Sequence, residues 1–165
     1  MVGREARLVF HYAPWAYLPK MVASGCLRAS NAGAPRELPL IWFSLNQQWE
    51  PTATKTSGGF RRLTFQEQLV TVGCIRFGLA YDDPRLMPWK RACATAGTRR
   101  EDRRSLEKVG KRVGGDPEHW FAIAGDVPLS DLDLEIFGDG SWRHANPIEM
   151  ADVWTKHVEK KIASS

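Results

Sequence analysis

The sequence predicts an α+β domain, and three observations carry that prediction. The chain opens as strand, helix, strand. After that opening, strands and helices mix without regular βαβ alternation. Finally, 165 residues with 43% hydrophobic and 25% charged side chains suffice for one core and little else, so residues 1–165 read as one domain.

Leu8-Val9-Phe10-His11-Tyr12 is rich in β-branched and aromatic residues and reads as the first strand. Leu18 to Ser24 reads as a short helix, with Pro19 in its first turn and Gly25 as its stop. Leu38 to Ser44 is the second strand, and the polar stretch Leu45 to Lys55 a loop. Thr56 to Arg62, with Gly58-Gly59, reads as a flexible connection. In the third strand, Val72 to Tyr81, Ile75, Phe77, Leu79 and Tyr81 alternate with Cys74, Arg76 and Gly78. The alternation sends Arg76 either into a cleft or into solvent.

Asp102 to Val113 reads as a helix with Leu106, Val109 and Val113 as its apolar stripe. Trp120 to Ala124 and Leu132 to Phe137 are strands joined through Gly125-Asp126-Val127-Pro128, and Asp139-Gly140 is a hairpin turn. Asn146, Pro147 and Glu149 are start chemistry for a last helix whose core face is Ile148, Ala151, Trp154, Val158 and Ile162. Trp120 and Trp154 are expected in the core. Trp49, in a polar loop, reads as a ligand contact or as a loop anchor.

Several classes are excluded. No apolar run approaches the length of a membrane span, and Met1 to Arg7 has no signal-peptide core. Cys26, Cys74 and Cys93 are odd in number and lack CxxC spacing, so no disulfide framework is expected, and a reducing cytoplasmic setting is. His11, His119, His144 and His157 are scattered, so no metal is expected. GxGxxG, GxxxxGK[ST], HExxH and GxSxG are all absent.

The net charge of +4 hides a strong segregation. Residues 85–112 hold ten Lys/Arg and three Asp/Glu, whereas 116–139 hold seven Asp/Glu and no Lys/Arg. Either the two segments face each other or they serve separate partners. Arg100, Arg104, Lys108 and Arg112 recur every four residues on one helical stripe, a candidate contact for a nucleic-acid or protein acceptor or else a solvated face.

Two segments remain that can carry chemistry. His11-Tyr12 ends a strand, and Trp42-Phe43-Ser44-Leu45-Asn46 is an aromatic strand end bearing a hydroxyl and an amide. A histidine can bond a ribose hydroxyl, aromatic rings can hold a flat heterocycle, and Ser44 and Asn46 can bond a carboxamide. His11 reads as a ligand contact or as a structural histidine, and of Trp42 and Phe43 one is expected in the core and one in a pocket.

His11-Tyr12 through Leu18, Met21, Val22, Gly25 and Leu27 resembles the opening of the ADP-ribosyltransferase superfamily, in the branch of the DNA-modifying toxins and the RNA 2′-phosphotransferases. Leu38 to Ser44 is similar to that family's second motif, and Trp120 to Ile123 with Val127-Pro128-Leu129 and the next strand resembles its closing hairpin. The resemblance covers about half of the chain. It implies a split β-sheet around a cleft for NAD as substrate, with His11 on the adenosine-side ribose and Trp42 and Ser44 at the nicotinamide end. It also implies a glutamate on the nicotinamide ribose, where a carboxylate stabilises oxocarbenium character and takes a proton from the incoming nucleophile. The family's position falls near Trp120, which is no acid. Glu118, two residues earlier, ranks first and Glu135 second. A scarcity of early arginine and histidine disfavours 2′-phosphate transfer. A catalytically silent binding module is the other alternative.

Overall fold

The computed structural model describes residues 7–57 and 61–165. Met1 to Ala6 and the Gly58-Gly59 pair, read above, lie outside the described residues. The elements are β1 (Leu8–Ala13), α1 (Leu18–Ser24), β2 (Cys26–Leu27), β3 (Leu40–Ser44), β4 (Thr56–Ser57), β5 (Arg61–Arg62), α2 (Phe65–Thr71) and β6 (Ile75–Ala80). They continue with β7 (Met87–Pro88), α3 (Trp89–Ala96), α4 (Arg100–Arg112), β8 (Trp120–Ala124), β9 (Val127–Pro128), β10 (Asp133–Gly138), β11 (Ser141–His144) and α5 (Pro147–Ala163). The class is α+β: a large antiparallel sheet flanked by helices.

The main sheet has the order β11-β10-β6-β1-β3-β8-β7. Its two halves are well laddered internally. β1 pairs with β6 from Leu8↔Ala80 to Ala13↔Ile75, and β3 pairs with β8 from Leu40↔Ala124 to Ser44↔Trp120. The join between the halves is thin, because β1 and β3 align only at Phe10↔Ser44.

Alternation assigns each strand residue a face. One face carries Val9, Ala13, Ile41, Phe43, Ile75, Phe77 and Ile123, and α1 and α5 cover it through Leu18, Met21, Val22 and Ala151. On the opposite face α3 packs Trp89, Ala92, Cys93 and Ala96 over Leu40, Ala122 and Trp120. The Trp120 ring fills the space where a side chain at Gly110 would begin, so α4 can lie close only because that residue is glycine.

Several expectations are corrected. β3 starts at Leu40; β6 starts at Ile75, because α2 fills 65–71 behind a capping box in which Thr64 and Glu67 bond each other's backbone N–H. The presumed closing hairpin does not form: β8 and β10 lie in opposite halves of the sheet, and β9 pairs with β2 between them. β10 instead pairs with β6 and, through the Asp139-Gly140 turn at φ 51° and 79°, with β11. Leu106 and Val109 on α4 are about half exposed, at 51% and 49%. On α5 Ala151 is buried and Trp154 half-buried, whereas Ile148 and Ile162 are 70% and 71% exposed. α5 outruns the body it packs on, and amphipathic spacing cannot reveal where cover ends. The charged segments do not face each other broadly: among the described residues Arg85–Asp131 is the ion pair that joins them, at 2.8 Å.

Arg76 goes neither to a cleft nor to solvent. It ion-pairs with Glu135 directly across the β6–β10 register, and the two side chains are 9% and 12% exposed. Glu135→Ala is therefore expected to lower stability by about 3–5 kcal/mol, because it strands a buried cation. Arg76→Met combined with Glu135→Leu should recover more than half of that loss in urea unfolding. If the double variant is less stable than Glu135→Ala, the pair itself is not what the site needs.

Candidate functional site

Beyond Phe10, β1 and β3 stop bonding each other through the backbone. His11 fills the gap: its Nδ1 lies 2.8 Å from the Trp42 carbonyl oxygen on the far strand. A carbonyl only accepts, so Nδ1 donates. Burial pushes the imidazole pKa below its ordinary 6.5, opposed by the Trp42 bond and aided by the charge of Lys55. The ring is thus neutral near pH 7, with Nε2 as a lone-pair acceptor that has no partner among the described residues. Phe43 supports the ring edge-on at 6.0 Å.

Apart from the Trp42 carbonyl and the Phe43 ring, the residues singled out by sequence do not gather around His11. Tyr12 alternates to the opposite face, where burial holds its phenol pKa up to about 12 and its hydroxyl donates to the Asn46 carbonyl at 2.5 Å. Trp42 is 38% exposed and leans on Trp89 at 5.1 Å, while Phe43 is core at 2%. Ser44 is 2% exposed; its hydroxyl donates to Glu50 Oε2 at 2.6 Å and accepts from the Asn46 N–H at 3.0 Å. Asn46 Oδ1 accepts from the N–H groups of Gln48 and Trp49, so it caps a turn. Trp49 is a loop anchor: its indole packs on Tyr12 and Phe65 and donates to Thr54.

Of the two acids weighed, Glu135 is committed to Arg76. Glu118 is exposed on a 3-10 turn just before β8, its N–H held by the Asp116 carboxylate at 3.0 Å. Sequence reasoning passed over Glu50. It is 6% exposed, and its second oxygen accepts from the Thr52 hydroxyl and N–H. Glu50-Pro51-Thr52, an acid before proline and threonine, was the available signal for a capped turn.

Arg100, Arg104, Lys108 and Arg112 are all exposed on α4 and make no ion pair among the described residues. The pairs near this helix are Arg99–Asp102 and Arg103–Glu107, off that stripe.

No family model matches the sequence, and no curated protein matches it. Among solved structures the chain is similar to one named EcPltA, at 9% identity and a TM-score of 0.39, over 87% of this chain and 85% of that one. This is a distant likeness, and at that overlap it fixes neither fold nor activity.

The depressed His11 pKa makes a pH prediction with a definite sign. Below 6.5 the unfolded chain takes up a proton that native His11 resists, so stability rises with pH there and falls as pH drops through that value. Urea unfolding from about pH 7.5 down to about pH 5.5 should show this loss, and His11→Gln should flatten it. Equal slopes in the two proteins would contradict a neutral His11.

Proposed function

We propose that the chain transfers ADP-ribose from NAD to a macromolecular acceptor and releases nicotinamide. The observation that carries this reading is His11: a neutral imidazole wedged into the parting of a sheet, with Nε2 available to accept from a ribose hydroxyl. Lys55 bears on His11 with its positive charge. That setting suits an anionic dinucleotide.

The register supports a place for the acid. Trp120 is opposite Ser44, and Leu45 N–H bonds the His119 carbonyl, so Glu118 lies beyond that end of the join. His11 lies on the other side of Phe10, about 10 Å away along the strands at ~3.3 Å per residue. An extended dinucleotide spans more than that. In this reading His11 orients the adenosine-side ribose and the nicotinamide ribose lies toward Glu118; Trp42, on the His11 side of Phe10 and leaning on Trp89 on the α3 face, takes no part. Ser44, fully hydrogen-bonded, shapes the strand end. As the C1′–nitrogen bond breaks, nicotinamide leaves with the electron pair, and Glu118 stabilises the positive charge growing on the ribose. The acceptor's lone pair then forms the new bond, and Glu118 takes its proton.

A second reading has its own support. Glu118 is exposed, and no carboxylate bonds His11 among the described residues, as expected of a silent module that holds nucleic acid or protein on the basic stripe. The decisive experiment follows label from NAD into lysate components with the pure protein. Glu118→Gln should keep NAD affinity and cut transfer by roughly 10²-fold. A wild type that neither transfers nor hydrolyses NAD sinks the enzymatic reading.

The acceptor side is tested separately. If α4 meets phosphates, retention on DNA or RNA should fall steeply with salt, and Arg104→Glu with Lys108→Glu should flatten that slope. Absence of retention at low salt would leave the stripe a solvated face.

A further inference from the structure

An open groove of about 750 Å³ runs along α1 and is lined in part by Tyr17, Lys20, Met21, Ser24, Cys26 and Arg28. Tyr17 is part of its lining. Its ring is 49% exposed, and on it rests Lys55, with Nζ 5.9 Å from the ring centre. Lys55 is also the cation whose charge acts on His11.

The charge in this groove has one sign. Lys20 and Arg28 are exposed, and neither they nor Lys55 make an ion pair among the described residues. No acid among the described residues lines the groove. Asp126, just before β9, which pairs with β2, has one oxygen occupied by the Ala29 N–H at 2.8 Å. Ser24 turns its hydroxyl hydrogen inward, toward the carbonyls of Met21 and Cys26. The remaining lining is apolar and aromatic. Three unpaired cations beside an exposed phenol ring match a flat heterocycle joined to phosphate, because the ring can stack and the phosphates can meet several cations at once.

We propose that this groove binds the adenosine diphosphate half of the nucleotide, with the phosphates on Lys20, Arg28 and Lys55 and the flat base against Tyr17. The identity of the nucleotide rests on the NAD reading, whereas the presence of a nucleoside diphosphate site does not. Arg28 matters most in direction, because its planar fork can bond two phosphate oxygens at once.

The test uses calorimetry on the full chain with three probes: ADP, inorganic pyrophosphate and adenosine. ADP should bind at least tenfold more tightly than adenosine. Lys20→Glu with Arg28→Glu should weaken ADP and pyrophosphate at least tenfold, and the neutral pair Lys20→Gln with Arg28→Gln should fall between, with circular dichroism unchanged in both. Tyr17→Leu should weaken ADP and leave pyrophosphate as it was. Equal binding of ADP and adenosine, or ADP binding unmoved by charge reversal in a folded variant, overturns the proposal. The arms also separate it from the NAD reading. If wild type binds ADP through Lys20 and Arg28 yet neither binds nor consumes NAD, the groove stands and the transferase falls. If the reversed variant uses NAD with an unchanged KM, the groove falls and the transferase stands.

Discussion

The interaction on which the rest depends is the buried guanidinium of Arg76. It pairs with Glu135 on the neighbouring strand, stacks with its carbon 3.8 Å from the Phe10 ring centre and 4.5 Å from that of Trp142, and donates to the Gln47 carbonyl at 2.6 Å. An arginine taken from water needs this combination, because neither a lone carboxylate nor a lone ring offsets the desolvation of its donors. Its neighbours extend the same pattern. Tyr12 bonds the carbonyl of Asn46, and Trp142 Nε1 bonds that of Gln48 at 2.9 Å. Three consecutive carbonyls of one loop are thus held by side chains from three different strands.

That clamp explains how a sheet with so thin a join stays together. β1 and β3 share a single aligned pair, so the loop after β3 supplies what the ladder does not: it runs back over β1, β6 and β11 and is bonded to each. Freed from ladder duty past Phe10, the strands leave room for an imidazole between them. His11 is then fixed by one backbone carbonyl and kept neutral by its surroundings. A rigid acceptor at a sheet parting is a consequence of strand divergence, and divergence is tolerable because the loop clamp carries the load.

The outer surface has a different character. α4 turns its basic stripe outward and leaves Leu106 and Val109 half exposed, while Gly110 admits the Trp120 ring. The helix is docked by a tryptophan filling a missing side chain rather than by an apolar stripe. Apart from Arg85–Asp131, the cations of 85–112 and the acids of 116–139 form no ion pair with each other among the described residues.

The sequence by itself determined the class, most strands, the two long helices and the Asp139-Gly140 turn, because alternation, caps and turn residues are local and act within a few positions. It also marked His11, Ser44 and Trp42 as worth attention. Only the tertiary structure decided what they touch. Tyr12 and His11 are neighbours in the chain, yet a period of two sends them to opposite faces, one into an arginine cage and one into the parting of the sheet. Glu50 drew no reading from the sequence and Arg76 was left between a cleft and solvent, until the loop after β3 brought Glu50 to Ser44 and strand order brought Glu135 to Arg76. The reason is physical: partners 6 and 59 residues away along the chain meet through a loop fold and a strand crossing, and pairings of that kind leave no period for a local pattern to reveal.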